Sequence, residues 1–306
     1  MSSLEPLSHQ VAGHPDGVQS LEGGRLVVKA CLPRELRFYQ QVQQAVQTSQ
    51  TRQTELLSRL LQFMPRCYGS WQDYAGSTAA TADSEPEPRI VLENLTFGYT
   101  RPNVCDLKLG TQLWDEEASD EKRARMDKAA ASTTSGSHGV RLTGWQTYDS
   151  ETRQFHRVPK TFGKTIGAQH LELGMRMLLA CPEPGDAQSA DSVLAGTSLD
   201  SRLPQLPAEI VEQLLRQDVL KHLEELRDIF GELEVRMRGA SLLLVSEGDV
   251  EQAQPKAEVR LIDFAHATLV PGEGPDQGVL LGIETVLHLV KKQLDRLQSR
   301  KQDTTV

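Results

Sequence analysis

An aspartate and a lysine two residues apart, Asp106 and Lys108, stand between the Pro102-Asn103 turn and Gly110. In an extended segment such residues share a face, so the two charges point together while Val104, Leu107 and Leu109 pack. The two are then a charged pair held on a rigid support. Spacing alone equally allows an exposed strand-edge ion pair of little energetic weight. Three further residues have types suited to phosphate chemistry. Lys29 ends an apolar strand predicted over Arg25–Ala30, and Glu35 falls in the first turn of a helix predicted from near Pro33, where the helix dipole favours an acid. A strand lysine followed by a helix glutamate is how kinases hold a lysine against the α- and β-phosphates of a nucleotide, although most strand lysines are simply solvated. Asp263 emerges from the apolar run Arg260–Ile262 and precedes Phe264. A carboxylate there serves either as a turn cap or as a metal ligand like that of the kinase D-F-G element, and alanine after Phe264 makes the likeness to that element partial.

Cations follow on the C-terminal side of this centre. Lys122, Arg125 and Lys128 are spaced three apart on a helix predicted from about Asp115 to Ala131, near one face, which on spacing alone is as readily a solvated face. The stretch from Arg153 to Lys164 holds Arg153, His156, Arg157, Lys160 and Lys164 and no acid, within a chain of net charge −9. Such a reversal of sign suits either a polyanion or pairing with acidic neighbours.

The elements that must position these groups are legible in the pattern. Leu56, Leu57, Leu60, Leu61 and Met64 predict a helix over Thr54–Met64, and Arg89–Leu95 a strand ending in polar residues. Val140–Tyr148 reads as strand and His170–Leu179 as helix. Tyr74–Pro88, Ser132–Gly139 and Pro182–Pro207 have loop composition. Val211, Leu215, Val219, Leu223, Leu226 and Phe230 form one helical stripe between Pro207 and Gly231, and a last helix runs from about Gln277 to Leu297. Between them Ala240–Ser246 and Arg260–Phe264 read as strands joined by a polar loop.

Composition excludes several classes. The acidic balance and pI near 5.5 argue against a nucleic-acid binder. Four dispersed cysteines, Cys31, Cys67, Cys105 and Cys181, suggest neither a zinc site nor a disulfide framework. There is no G-x-x-x-x-G-K-[ST] loop and no H-R-D-x-x-x-x-N loop, so neither a P-loop enzyme nor a conventional protein kinase is expected. Met1–Gln10 lacks a signal-peptide pattern and no apolar run is long enough to span a bilayer, so a soluble intracellular protein is expected, a monomer by default.

Pro102-x-x-x-Asp106-x-Lys108-x-Gly110 resembles the signature of the inositol polyphosphate kinase family. Ser241-Leu242-Leu243-Leu244 and Arg260-Leu261-Ile262-Asp263-Phe264-Ala265-His266 resemble its other two motifs, in the same order. The likeness extends from His14-Pro15-Asp16-Gly17 and Pro33-Arg34-Glu35-Leu36 to the Asp276-x-Gly278 region. It implies an α+β, two-lobed kinase-like fold, with an N-terminal lobe over 1–95, a hinge at about 93–97, and a C-terminal lobe over 98–306 whose segment from about 115 to 164 binds inositol phosphate. It implies ATP and Mg²⁺ as cofactors, with Asp106 and Lys108 at the reacting centre, and with Lys29, Glu35, Ser241, Asp263 and the hinge residues Glu93, Asn94 and Leu95 on the nucleotide. Asp263 is the implied metal ligand. The family usually carries aspartate where Asn94 stands. Lys122, Arg125, Lys128, Lys160, Lys164 and His266 are the implied contacts to substrate phosphates, and Phe162-Gly163-Lys164 resembles a family Tyr-Gly-Arg. The short insert resembles the multikinase subgroup, which implies soluble inositol tris- and tetrakisphosphates as substrates, extends to phosphoinositide headgroups, and implies residence in nucleus as well as cytoplasm. The alternatives are a hexakisphosphate kinase making pyrophosphates and a catalytically idle scaffold; an idle copy should have lost Lys29, Asp106, Lys108 or Asp263, and all four are present.

Overall fold

A computed structural model describes residues 3–11, 17–76, 88–193, 203–249, 251 and 255–304. Residues 14–16 of the His14-Pro15-Asp16-Gly17 likeness, residues 77–87 of the Tyr74–Pro88 loop and residues 194–202 of the 182–207 connection lie outside the described residues. In chain order the first part comprises β1 (Glu5–Pro6), β2 (Val18–Leu21), β3 (Leu26–Ala30), α1 (Pro33–Thr48), α2 (Arg52–Leu60), β4 (Cys67–Ser70), α3 (Trp71–Ala75) and β5 (Arg89–Glu93). Its strands form an antiparallel sheet in the order β1-β2-β3-β5-β4. Local chemistry starts its helices. Pro33 stands where α1 needs no backbone donor, and Thr51 and Thr54 cap α2 reciprocally through side chain and backbone. Phe38, Tyr39 and Val42 of α1 and Leu56, Leu57 and Leu60 of α2 are buried in the main core.

The second part continues with β6 (Pro102–Leu109), α4 (Asp120–Ala131), α5 (Thr134–His138), β7 (Val140–Asp149), β8 (Gln154–Val158), α6 (Phe162–Thr165), α7 (Leu171–Leu178), α8 (Asp186–Val193), α9 (Ala208–Leu214), α10 (Leu220–Phe230), β9 (Val235–Met237), β10 (Ser241–Glu247), β11 (Ala257–Ile262), β12 (Ala267–Leu269) and α11 (Gln277–Thr304). A second antiparallel sheet runs β11-β10-β6-β7-β8, and β9 pairs with β12. Leu107 and Leu109 of β6, Leu242 and Leu244 of β10 and Leu261 of β11 pack into the helical core. The opposite face carries Val104, Leu243 and Val245, which cluster with Leu95 beyond β5. The fold is thus α+β and two-lobed, with the two sheets facing one another across a cleft.

Several elements depart from the sequence pattern, among them α8, which forms inside the Pro182–Pro207 stretch of loop composition. The helix expected from Asp115 starts only at Asp120, capped by Ser119, because Asp115 is drawn out to an arginine and a histidine described below. Ser132–Gly139 is not all loop: Thr134–His138 makes a short helix closed by Gly139 in the left-handed conformation, where a Cβ would stand 2.5 Å from the Gly282 nitrogen of α11. The long predicted helix is interrupted by a π turn over Leu215–Val219. The turn lets a stripe spaced mostly by four stay on one face, since four residues overrun the 3.6-residue period. All six stripe residues are buried, and burial of each contributes about 1.5–3 kcal/mol.

Candidate active site

Lys29, the fourth residue of β3, points its ammonium at two carboxylates. It donates to Glu35 of α1 at 2.9 Å and to Asp263 at 2.5 Å. Glu35 is 1% exposed, so its charge has no solvent alternative to this lysine. Burial opposes the Lys29 charge, but Asp263 and Glu35 outweigh it and hold the ammonium above its ordinary pKa. Burial likewise opposes ionisation of Asp263, yet the adjacent Lys29 charge and hydrogen bond hold that carboxyl below its usual range. Asp263 stands just past β11 with φ of 66°, a left-handed conformation that costs a non-glycine residue about 1–2 kcal/mol. Phe264 anchors this turn, fully buried, stacked on Phe38 at 5.4 Å and edge-on to Tyr39 at 5.3 Å.

Asp106 lies in the middle of β6 opposite Leu243 of β10 and Gly144 of β7, at a register shift between Asp106 and Leu107. It is 5% exposed, and its Oδ1 has no hydrogen-bond partner among the described residues; the buried Ser241 hydroxyl lies beside this carboxyl and favours its ionised form. Burial pushes the Asp106 carboxyl up to about 6, against the pull of Lys108 and with the push of Asp263. Lys108 shares the face, as its spacing predicts, and donates to the Gly239 carbonyl at 2.6 Å. Val104 lies on this same face rather than behind it.

Lys29, Asp106 and Asp263 form the polar end of a cavity of about 370 Å³ whose other walls include Val27, Leu92, Leu95, Val104, Leu243 and Ile262. Such a slot, apolar for a flat ring and polar at one end, suits a nucleotide. Glu93–Thr96 edges it, and two of these side chains are engaged within the protein. Asn94 donates to the Gly24 carbonyl at 2.6 Å and accepts from the Thr96 amide and hydroxyl at 3.0 and 2.8 Å. Glu93 accepts from Arg260 at 2.9 Å and from the Arg66 amide at 3.1 Å.

The polar end also opens past Cys31, Leu32, Pro33, Gly239 and Ala265. Around that mouth Arg34 and Asp115 pair at 2.6 Å and both contact the His266 ring at Nδ1. Burial lowers the His266 pKa and Arg34 adds to this, against the pull of Asp115. Lys122 is half-buried and within electrostatic reach of both Asp115 and His266. Arg125, Lys128, Lys160 and Lys164 are exposed and make no ion pair or side-chain hydrogen bond among the described residues. Arg141 escaped sequence reasoning: it sits on β7 opposite Lys108, is partly buried, feels the Asp106 charge, and its guanidinium makes no hydrogen bond or ion pair among the described residues. Only its two-residue spacing in the strand over 140–148 could have pointed to it. The Gly163 before Lys164 packs so tightly on β7 that a Cβ would lie 1.6 Å from the Leu142 carbonyl oxygen.

A cleft between two lobes, a strand lysine braced by a helix glutamate, and an ionised aspartate after an apolar strand define a kinase-type phosphotransferase site. The family model for inositol polyphosphate kinase matches residues 89–291, and the chain belongs to that family. It is 26% identical to the inositol polyphosphate multikinase of Saccharomyces cerevisiae over 95% of this chain and 99% of that one. It is 29% identical to mouse inositol hexakisphosphate kinase 3, over 66% of this chain and 50% of that one. Among solved structures, the S. cerevisiae inositol phosphate multikinase Ipk2 in complex with ADP and Mn²⁺ superposes with a TM-score of 0.64 at 27% identity, covering 89% of this chain and all of that one.

Proposed function

We propose that the chain is an inositol polyphosphate multikinase that transfers the γ-phosphoryl group of ATP to hydroxyls of soluble inositol tris- and tetrakisphosphates. One observation carries this reading: Lys29, braced by Glu35, meets Asp263 at the polar end of an apolar slot that Asp106 also lines. Lys29, fixed by Glu35, holds the α- and β-phosphates. The backbone of Glu93–Leu95 borders the base, with the Asn94 side chain bracing that turn, and Ser241 lies beneath the phosphates. No three metal-ligating side chains cluster among the described residues. That fits Mg²⁺, which takes one or two carboxylates together with nucleotide oxygens, and Asp263 with the unpartnered Asp106 Oδ1 is the donor set present. When bound, the ion neutralises charge on the transferring phosphates. Asp106 accepts a hydrogen bond from the attacking hydroxyl and aligns it, while Lys108 balances the charge that develops between that oxygen and the γ-phosphate. Lys122, Arg141 and His266 hold substrate phosphates at the mouth, with Arg125, Lys128, Lys160 and Lys164 as outer cations. The same mouth accommodates phosphoinositide headgroups.

The likeness to mouse inositol hexakisphosphate kinase 3 supports a second reading, pyrophosphate synthesis. Radiolabelled ATP offered with inositol tris-, tetrakis- and hexakisphosphate side by side separates the two. Product from the first two supports the multikinase reading; product from hexakisphosphate alone overturns it in favour of the second, and no product from any of them points to an idle scaffold.

A further inference from the structure

The first residues of the chain run across both sheets. β1 extends the edge of the first sheet, Glu5 opposite Ser20 and Pro6 opposite Gln19, and the chain then crosses to the second. There Arg157 of β8 donates to the Ser8 carbonyl at 3.0 Å, and the His9 ring meets Phe155 of β8 edge-on at 5.2 Å. The fully buried Gln146 of β7 donates to His9 Nδ1 at 2.9 Å. Val11 packs on Leu95, Val104 and Leu243, the apolar floor of the nucleotide slot. Its carbonyl lies directly over Gly144, where a Cβ would stand 2.6 Å from the Val11 oxygen, so only glycine at that position lets the segment lie down. Gly144 is the residue paired with Asp106. Leu7, His9, Gln10 and Val11 therefore line the same cavity as Lys29, Glu93, Asp106 and Asp263.

We propose that residues 7–11 are a nucleotide-binding strap, which closes the apolar side of the slot over the base and ribose and slows nucleotide release. The inference rests on the reading of the cavity as an ATP site and adds a wall that none of the sequence motifs contains. The reasoning is geometric. A ligand in the slot touches the strap on one side and the hinge on the other, and the strap is held to the second sheet by a handful of contacts that can open together. Opening it exposes the ligand, so its loss acts chiefly on the dissociation rate.

The test measures release of a fluorescent ADP analogue, with Mg²⁺, from the full chain, from a variant lacking residues 2–11 and from Gly144→Val. In parallel, hydrogen exchange of the full chain is followed with and without Mg²⁺-ADP, which keeps the test independent of how the variants fold. Expected are about tenfold faster release from both variants and slowed exchange at the amides of residues 7–11 when ADP is bound. Release at the wild-type rate from a folded truncated chain, or exchange at residues 7–11 indifferent to ADP, overturns the strap and leaves the ATP site standing. Failure of the full chain to bind ADP overturns the ATP site, and the strap with it.

Discussion

Asp106 measures what the site costs the fold. In the ligand-free chain it is 5% exposed, and burial pushes its carboxyl from 3.8 to about 6. A carboxyl whose folded pKa lies above its unfolded value holds its proton more tightly in the native state, so its contribution is most favourable in acid and is lost as pH rises from about 4 through about 6. The displacement, about 2 pH units, corresponds to about 3 kcal/mol of lost stability at pH 8 and about half that at pH 5, where only part of the unfolded-to-folded difference has been crossed. Asp106→Asn removes the charge with nearly the same shape. For 306 residues, at about 2.1 cal/mol/K of unfolding entropy per residue, 3 kcal/mol is about 5 °C in Tm. Thermal unfolding at pH 8 and pH 5 in chelator, without nucleotide, is the assay, with turnover measured alongside. The variant is expected to melt about 5 °C above wild type at pH 8 and about half as far above at pH 5, while phosphorylation falls to background. A variant that melts at or below wild type at pH 8 refutes the buried-charge argument. Near wild-type turnover refutes the placement of Asp106 at the reacting centre.

The same titration predicts that kcat/KM falls below about pH 6 as Asp106 takes up a proton, and a profile flat down to pH 5 would contradict an ionised role. Lys29→Met leaves Glu35 and Asp263 facing each other without their shared cation, and ADP affinity measured by titration should drop about 10–100-fold. Asn94→Ala removes a brace of the hinge, so it should lower stability to urea by about 1–2 kcal/mol. An about tenfold rise in KM for ATP at full stability would instead put that side chain on the ribose. Gly163→Ala drives a methyl into the Leu142 carbonyl, and urea unfolding should show a loss of about 3 kcal/mol; an unchanged midpoint would mean that α6 can lift off β7.

Much of the scaffold and the placement of Asp106 and Lys108 was legible because it depends on local periodicity. A two-residue period placed Asp106 and Lys108 on one face, and a proline start with an acid in the first turn located α1 and Glu35. The aliphatic runs of β10 and β11 and the stripe of α9–α10 likewise followed from residues near one another in the chain. What periodicity cannot carry is which groups meet across the chain. Lys29 and Asp263 are 234 residues apart, and only the apposition of the two sheets turns them into an ion pair. Asp115 read as the start of a helix, and Arg34 with His266 drew it out of one, a tertiary pair overriding a local preference. Asn94 read as a ligand contact, and the carbonyl of Gly24 claimed its amide. Arg141 had no motif to mark it, and only register opposite Lys108 brings it within reach of the Asp106 charge. Met1–Gln10 showed only the lack of a signal-peptide pattern, yet a glycine on a distant strand leaves room for the segment that ends at Val11 to line the slot. Sequence by itself determined most of the elements, the family and the shared face of Asp106 and Lys108. Tertiary structure decided which charges face one another, because strand pairing and lobe apposition depend on the whole packed core, whereas helix and strand patterns depend on a few neighbours.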